Sequence, residues 1–335
     1  MSIALVRCGS PVKLDTLSPG TGDDPGQPGP GEIRVRLQAS SLNYHDFAVV
    51  AGFIPTAPGR IPMSDGAGLV EAVGAGVSQF KVGDLVVSTF FTDWIDGQIP
   101  GTGFSSTPGD GIDGYARQAV VTPQDWFTHA PKGYSAAEAA TLTCAGLTAW
   151  RALFVDDAIG PGSTVLVQGS GGVSVFALQM AKAAGARVVA TSSSDEKLER
   201  LKALGADETI NYQTTPEWGA KALELTGGVD CVVEIGGAGT LDQSMMATRV
   251  GGHVALIGVL TGRGGPVNTA LMMGKSLRVQ GLVVGSRKHQ LDMIRGVEAT
   301  GLKPVISDYF PLENLADAFR HQIANKHFGK IVVDI

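Results

Sequence analysis

The chain has 335 residues, enough for two domains with a core each at roughly 100–200 residues per domain. Its formal net charge is −6 and it carries no basic run, which argues against a nucleic acid partner. No apolar stretch reaches membrane-spanning length, and the first residues lack the apolar core of a signal peptide; three cysteines (Cys8, Cys144, Cys231) without disulfide or CxxC spacing suit a reducing cytoplasm.

The first 130 residues read as an all-β block. Residues 32–37 (EIRVRL) alternate in polarity behind a Gly/Pro-rich stretch at 19–31. Residues 69–73 and 85–87 read as strand–turn–strand, and the block is expected to form a partly open barrel.

From residue 131 the pattern changes. A valine-rich run at 163–168 meets a glycine cluster and passes at once into a helical pattern that ends near 185. Such a strand–turn–helix presents backbone N–H groups and a helix N-terminus to a phosphate. Gly169 and Gly171 suit a tight turn and close approach to a pyrophosphate. Ser174 stands where the usual fingerprint has a third glycine that packs helix on strand. Residues 187–192 are a second strand; Ser194 then reads as an N-cap with Asp195 and Glu196 in the first turn, and that helix ends at Leu204, Gly205 and Ala206. Further strands are expected at 208–211, 228–237, 252–258 and 276–284. Strands alternating with helices predict an α/β fold with a doubly wound parallel sheet, and the glycines after its first, fourth and fifth strands lie where ligands sit. The segment 305–335 returns to strand–helix–strand and is expected to rejoin the β block. The expected domains are therefore 1–130 with 303–335, and 131–302 as a nucleotide-binding insertion.

In NAD sites a ribose-binding carboxylate lies about 20 residues past the first glycine. Here the strand ends at Ser192, flanked by Thr191, Ser193 and Ser194, with Lys197 in the next helix and Tyr212 after the third strand. Hydroxyls with a cation favour a 2′-phosphate, hence NADP (NADPH) over NAD. The alternative is that the serines only cap a helix and Lys197 is solvated.

Several motifs stand in a fixed order: LNYHD at 42–46, PMSDGAGLVE at 62–71, FKVGD at 80–84, TCAGLTAW at 143–150, the glycine turn, and FGK at 328–330. In these, over nearly its whole length, the chain resembles the medium-chain dehydrogenase/reductases, close to their zinc-independent quinone oxidoreductase and enoyl reductase branch. The resemblance implies a GroES-like catalytic domain, a Rossmann domain and a dinucleotide in the cleft between them. Gly169, Ser170, Gly171, Gly172 and Val173 are expected around the pyrophosphate, with Thr148 near a phosphate. Ser192, Ser193, Lys197 and Tyr212 are expected around the adenosine ribose and its phosphate. Ile235, Gly258 and Val259 are expected at the nicotinamide ribose, with Val284, Gly285 and Ser286 beyond. Phe328, Gly329 and Lys330 are expected to close the cleft.

The candidate catalytic residues are Asn43, Tyr44, His45 and Asp46. Tyr44 could donate to an enolate and His45 could relay a proton; the alternative for Tyr44 and Asp46 is packing or local backbone bonding. Zinc-dependent members of the resembled family place a cysteine at or beside Asn43, a His-Glu pair at Ser64 and Asp65, and a four-cysteine lobe at 92–113. This chain keeps only Cys144, and one thiolate cannot supply the three protein ligands of a catalytic zinc. No metal is therefore expected, with an improvised site of His45, Asp65 and Cys144 as the alternative. Cys144 is expected to be small, buried and apolar, His253 to be structural, and His289, His321 and His327 to face solvent.

The function expected is NADPH-dependent, metal-free hydride transfer to a quinone or an α,β-unsaturated carbonyl. The protein would supply orientation, a dry site and oxyanion donors. Two rivals remain: an alcohol or aldehyde dehydrogenase of the same superfamily, and a non-catalytic NADPH-binding protein. A small-molecule substrate, no membrane association, and a homodimer through the valine-rich sheet edge at 276–285 complete the expectation.

Overall fold

Residues 2–335 are described by the structure, a computed structural model. In chain order come β1 (Ser2–Arg7), β2 (Ser18–Asp23), β3 (Glu32–Ser41), α1 (Tyr44–Val50), β4 (Ala67–Val73), β5 (Leu85–Ser88), β6 (Ala119–Pro123), β7 (Phe127–His129) and α2 (Ala136–Ala140). A helical stretch at 142–155 mixes wide π turns with α3 (Leu147–Trp150). Then follow β8 (Thr164–Gln168), α4 (Gly172–Ala183), β9 (Arg187–Ser192), α5 (Asp195–Ala203), β10 (Glu208–Asn211), α6 (Trp218–Thr226), β11 (Val229–Glu234), α7 (Leu241–Ala247), β12 (Thr248–Leu256), α8 (Thr269–Gly274) and β13 (Arg278–Gly281). The chain closes with α9 (Arg287–Thr300), β14 (Ile306–Pro311), α10 (Leu315–Ile323) and β15 (Lys330–Asp334).

Two units result: one runs up to Leu147 and resumes over Gly285–Ile335, the other is Thr148–Val284. In the β-rich unit the alternation of 32–37 becomes the burial pattern of β3. Ile33, Val35 and Leu37 point inward, while Arg34 and Arg36 both reach Glu71 on β4. β3 is the hub, pairing antiparallel with β4, β6 and β15 in a seven-stranded sheet. The C-terminal strand thus rejoins the β block, with Val332 opposite Ser41. Segments 131–147 and 285–302, expected with the nucleotide-binding domain, fall in the β-rich unit. Polar ties hold them there: Lys132 N donates to Glu298, and Gln290 on α9 donates to Ser88 O and to Thr128 Oγ1 on the sheet.

In the other unit six strands lie parallel in the order β10-β9-β8-β11-β12-β13. This is the doubly wound order of dinucleotide-binding sheets, with β8 as first strand. The edge strand β13 covers only Arg278–Gly281, shorter than 276–284. Ser276 (φ 50) and Val284 (φ 41) adopt left-handed backbone, which stops an extended strand at either end. Among the described residues no helix is long and apolar enough to cross a membrane.

Candidate functional site

In the β-rich unit, β3 leads through Leu42 and Asn43 into α1. Asn43 is the residue before the first helical turn, yet its side chain does not cap it. Its Nδ2 donates to Asp46 Oδ2 at 3.0 Å and its Oδ1 accepts from Lys330 Nζ at 2.6 Å. Lys330, the first residue of β15, also donates to Leu42 O (2.6 Å) and lies 3.6 Å from Asp65 Oδ2. Ser41 donates to that same Asp65 oxygen at 2.5 Å, and Asp46 accepts from Ser64 N (2.8 Å) and Ser64 Oγ (3.2 Å). All these side chains are buried.

One ammonium is therefore buried beside the Asp65 carboxyl group, with Asp46 reached only through Asn43, and Asp65 Oδ1 is left without a hydrogen-bond partner, a costly arrangement. Burial pushes the Asp65 carboxyl up to about 6; Lys330 opposes the shift and Asp46 adds to it. Burial also raises Asp46, against the charge of His45 and the hydrogen bonds of Ser64 and Asn43.

Tyr44 stands outside this network, 45% exposed, with its ring against Phe47. The His45 ring stacks on Phe104 (centroids 5.0 Å apart), meets Phe90 edge-on, and keeps Nε2 3.5 Å from Asp110 Oδ2. Phe104 belongs to the 92–113 segment. That segment is pinned by Asp93 accepting from Thr102 and Ser106 and by Thr92 donating to Ser106 O, where zinc-bearing relatives of the resembled kind have cysteines.

The donor set does not fit a catalytic zinc. Asn43 offers an oxygen already held by Lys330, Ser64 is bonded to Asp46, and Asp65 is bonded to Ser41. Cys144, half-buried rather than buried as expected, offers a single thiol. The Lys330 ammonium lies beside one of the two buried carboxyl groups, that of Asp65.

In the nucleotide-binding unit, β8 ends at Gln168 and Gly169 (φ 70) reverses the chain into α4. The residue before α4 is Gly171, which has no side chain to cap the first turn, so those N–H groups remain for an anion. A Cβ on Gly171 would meet no protein atom within 4 Å, which leaves room for a close ligand. Ser174 is fully buried and donates to Gln168 O at 2.5 Å, tying helix to strand where the fingerprint has its third glycine. The turn through Gly169, Ser170, Gly171, Gly172 and Val173 thus has a geometry that would fit a phosphate.

At the end of β9, Ser192 is buried and its Oγ accepts from Ser194 N, while Ser194 caps α5 by accepting from Lys197 N. Lys197 is half-buried, and desolvation pulls its ammonium down. Ser193 is exposed, and Tyr212 packs on the sheet core with its N–H donating to Ser192 O. Ile235 and Gly258 touch: a Cβ at Gly258 would meet Ile235 O at 2.1 Å, and Val259 beyond it is exposed. Thr148 and Val284 are buried at the two ends of this unit.

One residue that sequence reasoning passed over stands out here. Glu234 closes β11, is fully buried, and accepts from Gln168 Nε2 (2.6 Å), Gly236 N (2.6 Å), Gly237 N (2.9 Å), Thr240 Oγ1 (2.6 Å) and Ser244 Oγ. It locks the carboxyl ends of β8 and β11 together. A lone carboxylate ending a valine run before two glycines was its visible signal.

Gly285, Ser286, Phe328, Gly329 and Lys330 lie in the β-rich unit. Gly285 packs on Leu147, and Ser286 is buried and caps α9. Phe328 is buried, and Lys330 joins Asn43 rather than the other cofactor candidates. His289 is half-buried rather than solvent-facing; its Nδ1 accepts from Ser286 N and its ring meets Trp94 edge-on. His321 and His327 are half-buried, His321 lying 3.2 Å from Asp308, and His253 is buried in β12.

Two family models match the chain: an alcohol dehydrogenase GroES-like domain over residues 29–132 and a zinc-binding dehydrogenase over residues 172–298. A zinc-type alcohol dehydrogenase-like protein of Schizosaccharomyces pombe is 42% identical over 333 residues, covering 96% of each chain. A chloroplastic quinone-oxidoreductase of Triphysaria versicolor is 33% identical, covering 92% of this chain and 91% of its own. A crystal structure of an NAD-dependent alcohol dehydrogenase superposes with a TM-score of 0.89 at 35% identity, over 99% of both chains.

Proposed function

The chain belongs to the medium-chain dehydrogenase/reductase family and is an NAD(P)-dependent oxidoreductase, and on that premise we propose that it uses NADPH to reduce a quinone or an α,β-unsaturated carbonyl without a metal. The observation that carries this reading is the Lys330–Asn43–Asp46–Ser64 network, which occupies the polar groups at the expected ligand positions with one another. Alcohol oxidation needs a Lewis acid or a substitute to stabilise an alkoxide. Reduction of a conjugated carbonyl asks less, because the negative charge spreads onto an oxygen that one hydrogen-bond donor can serve.

When bound, the nicotinamide supplies the hydride. Tyr44 donates to the developing oxyanion, His45 passes the proton, and Asp46 holds Asn43 in place through its carboxylate. The rings of Phe90 and Phe104 pack about His45 and leave its side chain only partly exposed. Gly169 to Val173, with Thr148, hold the pyrophosphate; Ser192, Ser193, Lys197 and Tyr212 hold the adenosine ribose and its 2′-phosphate. Ile235, Gly258 and Val259 flank the nicotinamide ribose, followed by Val284, Gly285 and Ser286, and Phe328, Gly329 and Lys330 back the substrate side. The absence of a carboxylate at the end of β9 supports NADPH over NADH. A cytoplasmic location goes with three free thiols.

The names of the alcohol dehydrogenase relatives favour the second reading, an alcohol dehydrogenase. Turnover assays separate the two. After exhaustive dialysis against a chelator, NADPH-dependent reduction of quinones or enones should persist at the undialysed rate. Loss of that turnover on dialysis with the fold intact, and its recovery on adding zinc even in Cys231→Ser, would overturn the metal-free reading; so would turnover confined to alcohols with an oxidised dinucleotide.

A further inference from the structure

Asp157, Cys231 and His253 converge on one point in the nucleotide-binding unit. Cys231 on β11 and His253 on β12 are register partners in adjacent parallel strands, so their side chains leave the same face of the sheet. Asp157 follows the helical stretch at 142–155, and its other carboxylate oxygen accepts from Ala158 N at 2.9 Å, which fixes the side chain. His253 Nδ1 lies 3.2 Å from Asp157 Oδ2 and 3.9 Å from Cys231 Sγ, and the three ligand atoms all lie within 4.8 Å of one another.

Both contacts are made by the same ring nitrogen. A nucleophile–base–acid relay needs the two partners on opposite nitrogens of the imidazole, so this trio is no such triad. Three potential ligand atoms this close to one another can instead serve as a chelate, with Cys231 Sγ otherwise donating only a long contact to Ala152 O. An ion at about 2.0–2.3 Å from nitrogen, oxygen and sulfur holds these atoms about 3–4 Å apart. The buried His253 Nε2 has no hydrogen-bond partner, so the ring is oriented by the Nδ1 side alone.

We propose that this cluster binds a zinc ion through Cys231 Sγ, His253 Nδ1 and Asp157 Oδ2. Thiolate and imidazole together select a borderline-soft ion over magnesium or calcium. Cys231 and His253 are buried, while the Asp157 side chain is 24% exposed and gives the ion its way in. Arg278 opposes binding from 3.9 Å; its guanidinium is half-exposed, is tethered by donation to Asp156 O, and can turn into solvent. On binding, the Cys231 thiol releases its proton to solvent and the sulfur lone pair forms the bond to zinc. The ion would clip the segment at Asp157 onto β11 and β12. Cys231 and its register partner Val165 lie toward the amino ends of their strands, away from the Gly169 and Glu234 end, so the site lies apart from the dinucleotide cradle.

The test uses the full chain, stripped with a chelator and titrated with Co²⁺, whose thiolate complexes absorb in the near ultraviolet. A thiolate-to-cobalt band should saturate at one equivalent, bleach on adding Zn²⁺, persist in Cys144→Ala and vanish in Cys231→Ser. Should Cys231→Ser fail to fold, Asp157→Asn at the rim must weaken cobalt binding at least about tenfold. The absence of the band in the wild type, its survival in Cys231→Ser, or unchanged affinity in Asp157→Asn would each overturn the proposal. None of these readouts uses turnover, so failure of the quinone or enone reading leaves the test intact.

Discussion

The most consequential residue-scale feature is Asp65, a carboxyl with no exposed surface set beside Lys330, Ser41 and Asp46. Burial lifts it from 3.8 to about 6, so the folded chain holds its proton more tightly than the unfolded chain does. The stabilising contribution of the protonated form is then fully present below about pH 4 and is lost as pH rises through about 6. The ionised form costs on the order of 3 kcal/mol relative to the protonated one. Asp65→Asn, which keeps an acceptor for Ser41, should flatten the fall in stability between about pH 4 and pH 6 in denaturant titrations. An unchanged pH slope in the variant would rule out Asp65 as its source.

At the scale of elements, the start of α5 decides how the adenosine end is read. Ser194 caps the helix as its position before Asp195 and Glu196 required, and Ser192 stabilises the same turn by accepting from Ser194 N. These hydroxyls therefore already do the capping of the simpler reading, so under the NADPH proposal Lys197 is the group expected to discriminate. Lys197→Ala should weaken NADPH by on the order of 1–3 kcal/mol while leaving NADH nearly untouched. Fluorescence titrations showing equal losses for both dinucleotides, or tighter NADH binding by the wild type, would return the serines and Lys197 to a purely structural role.

At the scale of the whole molecule, β13 is the outer strand of the six-stranded sheet, and it is short. An open edge invites pairing with a second chain, and the proposed homodimer joins two such edges about a two-fold axis. Val283 lies just past the strand and is 38% exposed, so a charge there should act on pairing more than on folding. Light scattering should give a dimer mass for the wild type at micromolar concentration and a shift toward monomer for Val283→Lys. A monomeric wild type would remove the assembly from the account.

The sequence by itself determined the elements whose signals are local. The period-two pattern of β3, the Gly169 turn into α4, the Ser194 cap and the valine-rich parallel strands are each decided within a few neighbouring residues, and each was legible. The return of the 305–335 segment to the β block was also legible, because its strand–helix–strand pattern follows the alternating α/β run; its pairing with β3 in particular was not. What the tertiary structure decided was every property that depends on residues distant in sequence. Lys330 reaches Asn43 and Asp65 only because β15 lies beside β3, and neither hydropathy nor spacing reveals an ammonium that will be buried. His289, polar on a helix, is half-buried because Ser286 and Trp94 engage it. Glu234 and the Asp157–Cys231–His253 cluster show the same limit. A single charged or sulfur-bearing residue in an apolar strand carries no sign of its partners, and folding brings those partners from chain positions that no local pattern connects.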